Sequence, residues 1–449
     1  MITLYQKVYE VDKYIGYKGL ELKKLLIMIT IFLVPFHYYI CELFLNNSRA
    51  DNLLRDGIII LLFCITYKKM KFSTDKTGIY IIIADVIMFV FLLLSIAKGG
   101  QASGKINIFR TYCIPTLAYF VFQKTSVSAK GLKRILSGYV VLMAIVSVYG
   151  VIASFVFGEN YLIRLGYPSL DGHLAGSSYY INYFFGYPRN MGVFVGPNTA
   201  GVLFSFAIYV LLFSGKYLEI KHKKTVLLVL IVGLLSTFSR SAILGLVLSI
   251  IFVKFILERK RLKITKKKLF IIFTAGISFF IGVTVIDKLF LNQLFSRMLM
   301  SSFSRMLNGT DLSTQQHIKD LYEPLRIIAL NPFGRGFGNN GPMSAEFSSL
   351  SQNVESSFYL MMYEMGPICG LFPILPYLVI IHNTYRQRKT NIFFAPAAIS
   401  VTCLFTYLLL PNIQTYEILF FCYTYFGLYT NRYVGELQKN DKGVIQGAT

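Results

Sequence analysis

Apolar runs of roughly 18–25 residues recur throughout this chain, and they decide what it can fold into. A helix of about 20 apolar residues crosses a hydrocarbon layer about 30 Å thick. Mean hydropathy is +0.56, and 55% of the 449 residues are hydrophobic. The pattern predicts an all-α, polytopic membrane protein, a single integral domain over 1–449. About twelve spans are expected, at 24–45, 53–67, 77–97, 107–123, 134–157, 196–214, 225–238, 241–257, 269–287, 356–381, 392–410 and 415–431. Trp is absent, but 31 Tyr and 39 Phe can supply the interfacial belts. The first apolar run, Leu25 to Ile40, continues towards Leu45 without a small-residue cleavage site, so it reads as a retained span.

A formal charge of +23 invites comparison with nucleic-acid binders, but the basic residues fall in short blocks between apolar runs. Anionic headgroups and the positive-inside rule account for that placement, and no nucleic-acid partner is expected. With the N-terminus cytoplasmic, the inside segments 1–24, 68–76, 124–134, 215–224, 254–268, 382–391 and 432–449 hold most of the 45 Lys and Arg residues. The block ERKRLKITKKK at 258–268 would resist translocation. Both termini are therefore expected inside. The two long polar stretches, 158–195 and 288–355, then lie on the outer face, as does the short Ser239-Arg240-Ser241 hairpin. The six cysteines (Cys41, Cys64, Cys113, Cys369, Cys403 and Cys422) lie in or beside spans with no CxxC, and read as small buried apolar residues. The echo FSRML at 295–299 and 303–307 fits an amphipathic anchor helix on the membrane surface.

Three stretches carry the residues from which chemistry could be built. In YPRNMGVFVGPNTAG (187–201), Arg189 stands on the face where the positive-inside rule disfavours cations. Gly192 and Gly196 allow tight turns, and Pro197-Asn198 opens a helix. A helix N-terminus beside an Arg is a ready phosphate site, the alternative being an Arg that snorkels to headgroups. In STFSRSAILG (236–245), the hairpin pins Arg240 at the outer surface, where an ionisable group suggests function.

The third stretch is residues 305–371. Ser313-Thr314-Gln315-Gln316 resembles a capping box, with His317 on the following turn. Pro324 makes the helix there kink or restart near Glu323, and Arg326 follows on that segment. The glycines of NPFGRGFGNNG (Gly334, Gly336, Gly338 and Gly341) permit a mobile loop, though without the GK[ST] ending of a phosphate-binding P-loop. Glu355 stands at the outer mouth of the tenth span. Glu364 lies nine residues on, about 13 Å deeper along a continuous helix, as a carboxylate that could pair with an Arg. No acidic pair of the DxD kind occurs in an outer loop, so neither a divalent metal nor another cofactor is expected.

At these residues the chain resembles the O-antigen polymerase and ligase family, the Wzy-type polymerases of surface polysaccharides. The resemblance rests on RxxGxFxxPN (Arg189 to Asn198), Ser239-Arg240, STxxH (Ser313 to His317), R…NPxGxGxG (Arg326 to Gly338) and ESSFYLMMYEMGPICGL (355–371). It covers the second half of the chain and the hydropathy profile; residues 1–155 add only topology. The ligase branch usually shows a His-Asn pair where this chain has Glu355-Ser356, which favours the polymerase branch. The resemblance implies a GT-C-like fold in the bacterial cytoplasmic membrane with its active face outside. It implies a metal-independent glycosyltransferase that joins oligosaccharide repeat units into O-antigen or capsule, donor and acceptor both carried on undecaprenyl pyrophosphate. Implied partners are those lipid-linked oligosaccharides, the bilayer, and a chain-length regulator and flippase of the same pathway. On that reading Arg189, Arg240, Arg305 and Arg326 are candidates to hold the diphosphate, because a guanidinium is a forked, permanent cation. Glu355 or His317 is the candidate general base. Gly192, Pro197, Asn198, Gly334, Gly336 and Gly338 shape the loops, the last three as part of a lid over the sugar. The competing readings are a ligase that moves a finished glycan to lipid A core or protein, and a lipid-linked oligosaccharide flippase. A transporter tends to have two similar halves with mid-membrane sites, which this sequence lacks.

Overall fold

The structure, a computed structural model, describes residues 26–37, 39–40, 48–67, 74–125, 129–175, 179–180, 187–215, 218–257, 324–341, 343–344, 354, 356–386 and 394–431. The expected span 269–287, the FSRML echo, the capping box at Ser313, Arg305, His317 and Glu355 lie outside the described residues.

Helices dominate what is described. They are α1 (Leu26–His37), α2 (Ser48–Tyr67), α3 (Lys76–Ala97), α4 (Ala102–Lys124) and α5 (Ala129–Ile152), then the one-turn-scale α6 (Gly158–Arg164). They continue with α7 (Pro197–Phe213), α8 (Lys223–Ser236), α9 (Arg240–Phe252) and a short α10 at 324–330. The last four are α11 (Ser357–Met365), α12 (Leu375–Arg386), α13 (Phe394–Leu409) and α14 (Tyr416–Thr430). Three helical runs are long and apolar enough to cross a membrane by length and composition: Lys76–Ala97, Lys130–Arg164 and Arg240–Leu257. Leu26–His37, Pro197–Phe213 and Phe394–Leu409 are apolar but shorter.

Burial separates an inner layer from an outer one. Nearly every side chain of α7 and α14 is buried, so these two helices form the centre. On α3 and α9, large apolar side chains such as Phe89, Leu93, Leu244 and Val247 stay exposed. A water-facing surface does not carry such a continuous apolar face, whereas a hydrocarbon-facing one does. Cys403 and Cys422 pack Sγ to Sγ at 3.2 Å between α13 and α14, inside the core.

The structure differs from the sequence reading at two points that shape the site. The span expected at 134–157 does not stop there: α5 runs through a π-helical segment, Ala153–Phe157, into α6. The polar stretch expected from 158 therefore begins as helix. A small hairpin follows, Ser169–Leu170 against His173–Leu174, antiparallel with Leu170 opposite His173. Its Asp171-Gly172 turn has φ of 52° and 80°, the left-handed pair that a two-residue hairpin requires. Second, the span expected at 356–381 is broken. Helix α11 ends at Gly366-Pro367, and a 3-10 segment, Cys369–Ile374, folds back onto it, Gly370 approaching so closely that a Cβ would lie 2.5 Å from the Met361 backbone. At one end Ser357 N–H donates to Leu410 O (3.2 Å). Near its other end Glu364 meets residues 338–340, and Gly338 rests on Lys105 at the start of α4. Helix α11 thus bridges the α13–α14 and α3–α4 connections, and Glu364 lies within the same unbroken helix that Ser356 caps, as the sequence spacing implied; the break follows it at Gly366.

Candidate active site

The segment Tyr187–Asn198 is threaded between α5, α7 and α8 by its own polar atoms. Asn190, fully buried, donates from Nδ2 to Gly233 O (3.3 Å) and Ser236 Oγ (2.8 Å), and accepts from Gly192 N–H at 2.8 Å. Gly192 takes φ 59°, and a Cβ there would stand 2.8 Å from Val146. The tight turn predicted at Gly192 is thus present, and it is locked from both sides.

That turn aims Arg189 at the start of α9. Its Nε donates to Thr237 O at 2.7 Å and its Nη2 to Asn198 Oδ1 at 3.2 Å, while its backbone is held by Tyr179 O (2.7 Å) and Ser154 Oγ (3.0 Å). Asn198 Oδ1 also accepts from Ser239 Oγ at 3.0 Å, so one amide joins the two arginine-bearing segments. Phe238 is forced into the left-handed region (φ 51°), an uncommon conformation for a bulky residue, and the turn it makes sets Arg240 at the first position of α9. Arg240 is exposed. Burial, and after it the charge of Arg240, lowers the proton affinity of Arg189 to about 10, which leaves it cationic at neutral pH.

Two helix N-termini meet at this corner. Pro197 occupies the first turn of α7 with Gly196 as its N-cap, and Ser239 caps α9; neither N-cap side chain bonds its own first turn. The close approach depends on Gly201, where a Cβ would meet Ala242 Cβ at 2.9 Å and Ser239 Cβ at 3.1 Å. Two guanidiniums and two positive helix ends converge, and this arrangement suits a multiply charged anion such as a phosphate or diphosphate. Sequence reasoning found Arg189, Pro197, Asn198 and Arg240. It missed Asn190, Thr237 and Gly201, whose roles are packing and backbone contacts with no motif to mark them.

The glycine stretch lies against α11. Arg335 N–H donates to Tyr363 O (2.8 Å) and Gly336 N–H to Glu364 O (3.1 Å). A Cβ on Gly334 would lie 2.3 Å from Glu364 O, and Gly334, Gly336, Gly338 and Gly341 all have positive φ. Phe337 is fully buried against Tyr112 (5.8 Å between centroids). These glycines let the loop lie flush on α11. Glu364, fully buried, is a partner for that loop, accepting from Asn340 N–H at 3.1 Å, and pairs with no arginine among the described residues. Helix α10 restarts at Pro324, and Arg326 is exposed on it, outside the hydrogen bonds that join Arg189 to the start of α9.

Fold and site together define a helical protein of the membrane type, with two arginines and two helix starts gathered at one corner. Residues 225–371 match the family model described as O-antigen ligase, in agreement with the O-antigen polymerase and ligase resemblance of the sequence. The match takes in Arg240, the glycine loop and Glu364. Arg189 to Asn198 fall outside it and are joined to it by the contacts above. No curated protein matches the chain.

Proposed function

We propose that the chain is a metal-independent polysaccharide polymerase of the bacterial cytoplasmic membrane. It joins undecaprenyl-pyrophosphate-linked oligosaccharide repeat units on the outer face. The observation that carries this reading is the corner where Arg189 and Arg240 flank the starts of α7 and α9.

In the transfer, an acceptor hydroxyl oxygen bonds to the anomeric carbon of the donor sugar as the bond from that carbon to the carrier's diphosphate breaks. The bonding electrons leave with the diphosphate, whose growing charge two forked cations and two helix ends can stabilise before any rearrangement. The hydroxyl proton passes to a general base, Glu355 or His317. Arg305 and Arg326 remain candidates for further diphosphate contacts.

A second reading, a ligase that transfers finished glycan to lipid A core or protein, rests on the description of the matched family. Gel analysis of surface polysaccharide from a deletion strain separates the readings. A ladder collapsed to single repeat units is expected for the polymerase. Long chains stranded on the lipid carrier would instead establish the ligase, and unflipped units held inside would establish a flippase.

A further inference from the structure

A second polar cluster lies in the part of the chain that the family match does not reach. It is formed by His37 beside Arg55 and Asp56 of α2, Asn107 and Arg110 of α4, and Tyr416 and Glu417 of α14. Arg55 Nε and Arg110 Nε stand 3.2 and 3.1 Å from the two oxygens of Asp56, and the Arg55 guanidinium covers the Tyr416 ring at 3.5 Å. His37 Nδ1 faces Val34 O (2.5 Å) and its Nε2 faces Arg55 Nη1 (3.1 Å). His37 Nε2 also stands 3.6 Å from Glu417 Oε1. The cluster then counts two guanidiniums against two carboxylates, Asp56 and Glu417. It has the opposite character to the corner at Arg189, where burial and then the charge of Arg240 lower the proton affinity of Arg189, and it is not built for an anion.

Single atoms of the cluster nevertheless remain without hydrogen bonds among the described residues. Asp56, Arg55 and Glu417 are buried, yet Asp56 Oδ2 and Arg110 Nε are out of line with one another, and neither makes a hydrogen bond among the described residues. The same holds for Asn412 Nδ2, in the connection that packs on α4. The cluster opens at a rim, where the Arg110 side chain is 25% exposed and half-buried Asn107 accepts from Arg110 Nη2 at 2.5 Å. Tyr39 Oη, two residues past His37, donates to Gly192 O (3.5 Å), and Tyr112, two residues past Arg110, packs on Phe337 of the glycine loop.

We infer that Asn107 and Arg110, with Arg110 positioned by Asp56, form a subsite for uncharged hydroxyl groups of the saccharide. This inference rests on the glycosyl-transfer reading above. A planar amide and a planar guanidinium side by side offer donors and an acceptor in the paired geometry that vicinal hydroxyls take up.

The test uses the full-length protein in lipid nanodiscs with two probes. One is bare undecaprenyl pyrophosphate; the other is the lipid-linked oligosaccharide pool extracted from the source strain with this gene deleted. Hydrogen bonds to a charged group are each worth roughly tenfold or more in affinity, so wild type should bind the sugar-bearing probe at least about tenfold tighter than the bare one. Arg110→Gln and Asn107→Ala should abolish that difference while bare-carrier affinity stays within about twofold. Should Arg110→Gln not reach the membrane, half-buried Asn107→Ala decides. Absence of the tenfold difference in wild type, or its survival in the variants, would reduce the cluster to a clamp between α2, α4 and α14. Failure of the diphosphate reading shows separately, as bare-carrier binding that is absent or is unaltered by Arg189→Ala.

Discussion

Gly201→Ala tests whether the corner works through geometry rather than charge alone, since the substitution alters no charged group. A new Cβ would lie 2.9 Å from Ala242 Cβ and 3.1 Å from both Ser239 Cβ and Thr237 Oγ1. Carbon atoms rest at about 3.5–4.0 Å, so the first turns of α7 and α9 must part by some fraction of an ångström up to about 1 Å. Overpacking of that kind costs about 1–3 kcal/mol of stability. Its larger effect is expected on transfer, because the parting separates Asn198 from Ser239 and Arg189 from Arg240. A misplacement near 1 Å at a reacting centre costs up to about 10²-fold. The assay is turnover of lipid-linked repeat units by the purified protein, read beside its thermal denaturation. Gly201→Ala should lose at least about tenfold in turnover with a modest fall in Tm, and adding Ala242→Gly should restore part of both. Wild-type turnover in Gly201→Ala would refute the claim that close contact of these helices places the arginine pair.

Arg189→Lys and Arg240→Lys keep the charge but lose the fork that lets Arg189 reach Thr237 O and Asn198 Oδ1 together; each should retain a small part of the activity, and Arg→Ala essentially none at unchanged protein level. Once the terminal phosphate is fully ionised, above about pH 8, binding of bare carrier should hold steady and weaken only as pH approaches about 10, where Arg189 loses its proton; a fall in binding already between about pH 8 and 9 would remove Arg189 as the cation responsible. Cysteine labelling should place Ala175 and Leu330 outside, and Ile220, Leu262 and Arg386 inside; finding Leu330 in the cytoplasm would overturn the proposed reaction along with the orientation. Glu355→Gln should abolish turnover with donor binding intact while His317→Ala does not, the reverse result exchanging their roles, and a base of this kind being worth roughly 10²–10⁴ in rate.

Apolar length made most of the helices legible in the sequence. The expected spans at 77–97, 196–214 and 392–410 agree within a few residues with Lys76–Ala97, Pro197–Phe213 and Phe394–Leu409. Hydropathy does not register how a helix ends inside an apolar run, which is why the break at Gly366-Pro367 was read through and the π-helical continuation past Phe157 was not foreseen. At the site, Arg189 and Arg240 stood out as cations on the face expected to lie outside, where the positive-inside rule disfavours them. The amide that joins them, Asn198 to Ser239, is long-range, and nothing in the spacing of 198 and 239 announces it. The cluster around Asp56 was invisible for a related reason: its members come from four helices, and each looks alone in its own segment.

The division between the two clusters has a physical basis in the cost of burying charge. A buried carboxylate or guanidinium is tolerated when paired, and the cluster of Arg55, Asp56, Arg110 and Glu417 meets that condition within the bundle. The Arg189 corner is assembled the other way: Arg189 is brought towards a second cation, and the positive ends of α7 and α9 are added to both. An anion with more than one negative charge reverses the sign of every one of these interactions at once, with a guanidinium fork and helix N–H groups already in place. On the proposed reading a diphosphate would meet the guanidinium forks and the helix N–H groups together, and more favourably as it takes on the charge of a leaving group. That difference between ground state and departing group is what a catalyst of glycosyl transfer must supply.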